Sequence, residues 1–402
     1  MAKSWNRIET WLAVIVLGVG VIILSVGGLW VYMSATATPL HPDPSRVPSV
    51  TGSDPSPKFT EAVERGRQVL RGFIAEQNLP GLSVAVGVNG DLVWAEGFGW
   101  ANLEQQGPVK PETRFRIGTA SIVLTSAAAG VLIEQGRLKL DDEIQAYVPE
   151  YPKKQWPVTV RQVMGHLAGI RTDGGDEGPL FSQQCERPID GVQRMAEYSL
   201  LFEPGTQYRF SSFGWIVISA AIEAAAKEPF LTFMQKQVFE PLRMDDTMLD
   251  ASIQPLEDQA TSYFPKFAGD PRYGNDLMRD LDYTCYAGGS AFLSTPSDLV
   301  RFAMAINGGK LLQPPTAEVL QTSQRLASGQ ETGYGLGWDL ETVTLAGQQV
   351  RSVGHDGAVL GGIAGSLMTF RDRGIAVAIL SNTSYADTPA AALNIAEVFA
   401  KD

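Results

Sequence analysis

From Trp11 to Met33 the chain is apolar without a single charge, about 23 residues or roughly 35 Å as a helix, enough to cross a bilayer. Small residues at Ala35-Thr36-Ala37 offer a signal-peptide cleavage site as the competing reading. The apolar core of such a peptide spans only about 7–15 residues, so an uncleaved anchor over 11–33 is expected. Lys3 and Arg7 precede the run and no basic cluster follows it. That bias puts residues 1–10 in the cytoplasm and the globular part on the periplasmic, extracytoplasmic side of a single-pass membrane protein. Pro39 to Pro57 is rich in Pro, Ser and Asp and lacks periodicity, so residues 34–58 read as an extended spacer.

Regular patterning begins near Phe59. Val63, Val69, Leu70, Phe73 and Ile74 recur at helical spacing and predict an amphipathic helix over Glu61–Gln77. Leu82–Val88 and Leu92–Gly99 read as strands joined through Asn89-Gly90, a hairpin signal. The stretch after Thr119 is apolar on nearly every face, which predicts a helix buried on all sides and stopped at Gly136. Tyr151 to Thr284 is mainly helical and loop-rich, with Asp173–Pro188 irregular. Strands return at Gly335–Leu340, Gln349–Val353, Gly362–Phe370 and Ile375–Ser381, and Ala390–Ala400 closes as a helix. Strands at both ends around a helical middle give an α/β (α+β) domain over 59–402. Its sheet lobe takes about 59–150 and 295–402, its helical lobe about 151–294, with a cleft between them.

Composition narrows the function. A net charge of -12 without a basic stripe excludes nucleic acid as partner. The three histidines, His41, His166 and His355, lie far apart, with no metal-ligand spacing, so no metal site is expected. Cys185 and Cys285 pair in an oxidising compartment or remain separate thiols; the sequence leaves both open.

Four segments, in order, carry a resemblance. They are Leu79-Pro80-Gly81-Leu82-Ser83-Val84-Ala85-Val86, then Phe115-Arg116-Ile117-Gly118-Thr119-Ala120-Ser121-Ile122, then Pro204-Gly205-Thr206-Gln207-Tyr208-Arg209-Phe210-Ser211-Ser212-Phe213-Gly214-Trp215, and Gly354-His355-Asp356-Gly357. Supporting matches are Thr159-Val160-Arg161 running to His166 and Gly169-Ile170, Ala287-Gly288-Gly289, and Tyr334-Gly335-Leu336-Gly337-Trp338. Over about 59–400 the chain resembles the serine β-lactamase/penicillin-binding-protein family, on its class C, D,D-peptidase and mitochondrial β-lactamase-like branch. The resemblance implies the β-lactamase/transpeptidase-like fold, an antiparallel sheet flanked by terminal helices beside a helical lobe. It implies no cofactor, and a peptide or cell-wall-like ligand. In active relatives a serine opens the buried helix, a lysine one turn on and a loop tyrosine manage its proton, and a K-T-G or H-T-G strand binds the substrate carboxylate.

The matched positions here hold different side chains. Thr119 stands at the serine, where its methyl crowds attack and a helix-capping role competes. Ile122 stands at the lysine and Phe210 at the tyrosine; neither can carry a proton. Starting the motif at Ser121 instead puts Leu124 at the lysine place. Ser212 holds the polar third position of the loop, as a substrate contact or a solvated hydroxyl. Asp356 replaces the strand threonine, so a carboxylate ligand at about 4 Å would be repelled by one to several kcal/mol; pairing with Arg351 or turning to solvent is the alternative. His355 is the remaining titratable group on the wall, as a base for Thr119 or as a hydrogen-bonded wall residue. Neighbouring strand residues face opposite ways, which works against an Asp356–His355 relay. His166 reads as structural, with Ala168 in the family's serine place. The oxyanion hole, implied by the family at the N–H groups of Thr119 and Ala358 beside Gly357, needs no side chain. Three readings follow: a membrane-tethered pseudoenzyme that binds a ligand or partner, a weak acyl hydrolase using Thr119 with His355, or a structural assembly protein. Oligomeric state is not encoded in these motifs.

Overall fold

In a computed structural model of the chain, which describes residues 7–52, 56–171, 184–250, 256–278, 281–359 and 363–401, early and late strands share one antiparallel sheet. Its strands are β1 (Ser49–Thr51), β2 (Gly81–Val88), β3 (Asp91–Asn102), β4 (Asp339–Leu345), β5 (Gln348–Val359), β6 (Ile363–Phe370) and β7 (Ile375–Ser381). They lie in the order β1-β3-β2-β7-β6-β5-β4, and Gly107–Pro108 adds a short pairing to β3. β2 and β3 form the expected hairpin, with Asn89 and Gly90 both at positive φ, as its tight turn requires. β7 then pairs with β2 through partners such as Val84 and Ile379, bringing the terminal segments together.

Each sheet face has its own helices. On one face lie α2 (Thr60–Gln77) and the last labelled helix, α5 (Thr388–Phe399), where Phe399 packs on Phe59 and on Trp94 at ring distances of 6.1 Å. On the other lie α3 (Ser121–Glu134), α4 (Ser212–Ala226) and the helix Pro296–Asn307. Gly87 on β2 admits that last helix, since a side chain there would strike Val300 and Met304. α3 is buried as far as Leu132, so its polar residues need internal partners. Thr125 Oγ1 donates to Gly288 O (2.8 Å), and Ser126 Oγ donates to Leu336 O (2.6 Å) while accepting from Trp338 Nε1 (3.1 Å).

The N-terminal helix α1 (Arg7–Thr36) is 30 residues, long and apolar enough to cross a membrane. The chain behind it departs from the expected spacer. Leu40 N donates to Asn78 Oδ1 (2.6 Å), His41 and Val47 are buried, and β1 pairs along the outer edge of β3 from Ser49↔Phe98 to Thr51↔Glu96. Covering an open strand edge is the physical gain that draws this segment onto the domain.

Two other expectations shift. Gly335–Leu340 is largely a turn, and the strand starts at Asp339. Gly337, at φ +94, crosses closely over the Trp215 ring, where a side chain would clash. The irregular stretch Asp173–Pro188 falls mostly outside the described residues. Its end, Pro188–Met195, is helical. Cys185 and Cys285 form a disulfide, closing a loop of 100 residues across the helical region.

Candidate active site

The turn Gly118–Ala120 feeds directly into α3 and lies against β5. Gly357 makes that approach feasible, because any side chain there would collide with the Ile117 carbonyl. Just upstream, Arg116 holds the strand leading to the turn through a buried ion pair with Asp250 (2.5 Å) and packs its guanidinium 5.0 Å over the Tyr283 ring.

Thr119 is buried, and its hydroxyl donates to the backbone carbonyl of Asp356 across the gap to β5 (3.0 Å). His355 Nδ1 lies 2.6 Å from the same oxygen. A carbonyl can only accept, so Nδ1 carries a proton and donates it there. With Nδ1 as donor, Nε2 meets the Tyr334 hydroxyl at 3.0 Å, where the phenol donates and the ring nitrogen accepts. Burial raises the Tyr334 phenol well above its ordinary value, which keeps that proton available for donation. Asp339 lies 3.8 Å from His355 Nδ1, beyond hydrogen-bond reach.

Around this pair the cleft is filled with rings. His166 is buried at φ +58, and its Nδ1 accepts from Ser211 N–H (3.0 Å). Its proton therefore sits on Nε2, which has no protein hydrogen-bond partner among the described residues. Burial holds this ring well below the usual histidine range, so it stays neutral. Phe210 packs against it, tilted, at 4.4 Å and reaches His355 at 6.2 Å, while Tyr334 lies 4.7 Å from His166. Ile122 is wholly enclosed in the core. Ser212 is also fully buried, in the first turn of α4 behind the cap supplied by Ser211, which excludes the solvated-loop reading. Ser121, the alternative nucleophile register, is buried with Oγ accepting from Phe292 N–H (3.3 Å).

Asp356 is the clearest correction. Its carboxylate is on the opposite face of β5 from Thr119 and His355, where it accepts from Ser366 Oγ (2.6 Å), and Ser366 in turn meets Thr388 of α5 (3.0 Å). It is half-buried and does not pair with Arg351, which donates to Gln321 O. The alternation of side chains along a strand accounts for this placement. Of the implied oxyanion donors, Thr119 sits on its turn beside β5, and Ala358 continues β5 paired with Ala364. Sequence reasoning gave Tyr334 and Asp339 no role at the site. The only signal was the Tyr334–Trp338 match itself.

With this geometry in place, comparison with known proteins decides the lineage. The Beta-lactamase family model matches residues 67–400. The chain belongs to the beta-lactamase family. It is similar to the mitochondrial serine beta-lactamase-like protein LACTB of Homo sapiens, 26% identical over 86% of this chain and 81% of that protein. It is also similar to Penicillin-binding protein 4* of Bacillus subtilis, 24% identical over 72% of this chain and 65% of the relative. Among solved structures, an octameric penicillin-binding protein homologue from Pyrococcus abyssi superimposes with a TM-score of 0.69 at 24% identity, covering 83% of this chain and 76% of the other. The D-amino acid amidase of Ochrobactrum anthropi SV3, complexed with L-phenylalanine amide, gives 0.70 at 20% identity over 85% and 97%. These overlays establish the beta-lactamase/transpeptidase fold. The side chains at 119, 122 and 210 remain this chain's own.

Proposed function

We propose that this beta-lactamase-family protein is a membrane-anchored pseudoenzyme, retaining the fold to bind a ligand or partner after losing acyl-transfer chemistry. One observation carries the reading: the Thr119 proton is directed at a peptide carbonyl to which His355 also donates. A hydroxyl becomes a useful nucleophile only when a nearby base takes its proton. Ile122 and Phe210, at the two family proton-carrier positions, are hydrocarbon. A peptide or cell-wall-like ligand fits the penicillin-binding relatives. The disulfide suits an oxidising compartment and supports placing the domain on the periplasmic side, in line with Lys3 and Arg7 before the apolar helix.

A weak acyl hydrolase is the second reading, favoured by the convergence of Thr119 and His355 on one atom. It requires the His355 proton to leave Nδ1 and the ring to re-aim. Incubation of the full-length protein with a fluorophosphonate and with a fluorescent penicillin separates the two. The pseudoenzyme reading expects no adduct on Thr119 by mass spectrometry; rapid stoichiometric labelling there overturns it.

A further inference from the structure

Across β5 from Thr119 lies a cavity of about 440 Å³, lined chiefly by apolar groups of Ile363, Ala364, Tyr385, Ala386 and Pro389, with Asp356 in its wall. That volume falls within the range of small-molecule sites, which runs from about 300 to 1,000 Å³. Its charged lining residues are Asp356 and Asp387; no lysine or arginine lines it among the described residues. Asp387 is already occupied, capping α5 through Ala390 N–H at 3.2 Å. Arg272, beyond the outer side of Tyr385, is forked onto Asp270.

Asp356 is thus a partly buried carboxylate with one hydroxyl donor, Ser366, and, among the described residues, no lysine or arginine in the pocket beside it. On the flanking strand β4, Asp339 and Glu341 add like charge, opposed by the Ser366 hydrogen bond and then by neighbouring His355. Burial, the largest cause, pushes the carboxyl up to about 6, so it is ionised at neutral pH with its charge poorly compensated. An ion removed from water in this way is costly until a counter-charge arrives. Tyr385 at the rim adds a second observation. It is a non-glycine residue at φ +64, half exposed, and such backbone strain concentrates at ligand sites. Its ring packs edge-on to Phe264 at 5.8 Å, and an aromatic wall also favours a bound cation.

We propose that this pocket binds a ligand carrying an ammonium group on a compact apolar body, with Asp356 as the counter-charge. The inference goes beyond the reading at Thr119, because the pocket opens on the other face of β5 and involves no bond-making.

Calorimetric titration of the full-length protein in detergent tests it, with phenethylamine as the cationic probe and phenylacetate as its anionic counterpart. At pH 8 phenethylamine binds saturably and phenylacetate does not. Asp356→Asn weakens phenethylamine binding about tenfold or more, the usual consequence of removing one partner of an enclosed charge pair. Tyr385→Gly, which relieves the backbone strain, keeps the melting temperature and weakens binding about fivefold. Near pH 6, buffers of differing ionisation enthalpy reveal proton release on binding, which vanishes by pH 8, because the ammonium stabilises the ionised carboxylate. Adduct formation at Thr119 is read in the separate labelling experiment, so a failure in the pocket leaves the reading at Thr119 untouched. Equal affinity for the two probes, no saturable phenethylamine binding, or an unaffected Asp356→Asn protein overturns the proposal.

Discussion

Thr119 and His355 share an acceptor: both direct a proton at the carbonyl oxygen of Asp356, over 3.0 and 2.6 Å. Two donors on one oxygen are the reverse of a nucleophile–base pair, in which one group must accept from the other. The arrangement joins the start of α3 to β5 and makes the position of the family nucleophile a structural joint. Phe210 and Tyr334 then close the space around His166 and His355 with rings.

Restoring the proton carriers tests whether the scaffold still supports chemistry. A Thr119→Ser, Ile122→Lys, Phe210→Tyr protein is expected to hydrolyse p-nitrophenyl acetate about 10²–10⁴-fold faster than the parent, the usual effect of acid–base groups. It is also expected to melt lower, because position 122 is wholly buried and a lysine there loses its water. Stopped-flow absorbance and a thermal melt read the two effects.

The carboxyl of Asp356 predicts a pH-dependent stability. Burial raises it from 3.8 to about 6 on folding, so the folded state holds the proton more tightly than the unfolded chain. This contribution is fully present below the unfolded value, declines as pH rises through the window, and is lost above about 6. Asp356→Asn keeps an acceptor for Ser366 Oγ and removes the charge. It is expected to gain about 1–3 kcal/mol over the parent at pH 7.5 and nothing near pH 4, as read by urea unfolding at each pH.

Much of the sheet was legible in the sequence because its cues are local. Asn89-Gly90 sets a hairpin, and the apolar runs 82–88 and 375–381 carry strand patterning. The uniformly apolar α3 declared its burial in the same way. What escaped depends on partners distant in sequence. β1 contains only Ser49, Val50 and Thr51, too few residues for periodicity, and it is ordered by the open edge of β3. The face taken by Asp356 was implicit in strand alternation, yet the pocket at α5 becomes visible only once residues 384–389 fold beneath β5. The cysteine pairing was left open because nothing in the spacing of positions 185 and 285 encodes distance.

Ordering of the segment after the apolar helix α1 has a measurable consequence. Protein lacking residues 1–38 is expected to be about 2–4 kcal/mol more stable than protein lacking residues 1–56, since the longer deletion removes buried His41 and Val47 and exposes the β3 edge. Equal denaturant midpoints would mean that the segment contributes nothing.

The disulfide should carry stability as well. Cys185→Ser with Cys285→Ser releases a constraint on a long loop and is expected to cost about 2–5 kcal/mol. The full-length parent protein should react with thiol reagents only after reduction.

Acyl transfer is the point on which the account turns. Turnover of an activated ester by the full-length protein, compared with a Thr119→Ala control at pH 7.5, addresses it most directly. The account predicts indistinguishable rates for the two proteins, because the Thr119 hydroxyl gives its proton to a carbonyl. A parent rate far above the control, abolished by the substitution, would contradict it.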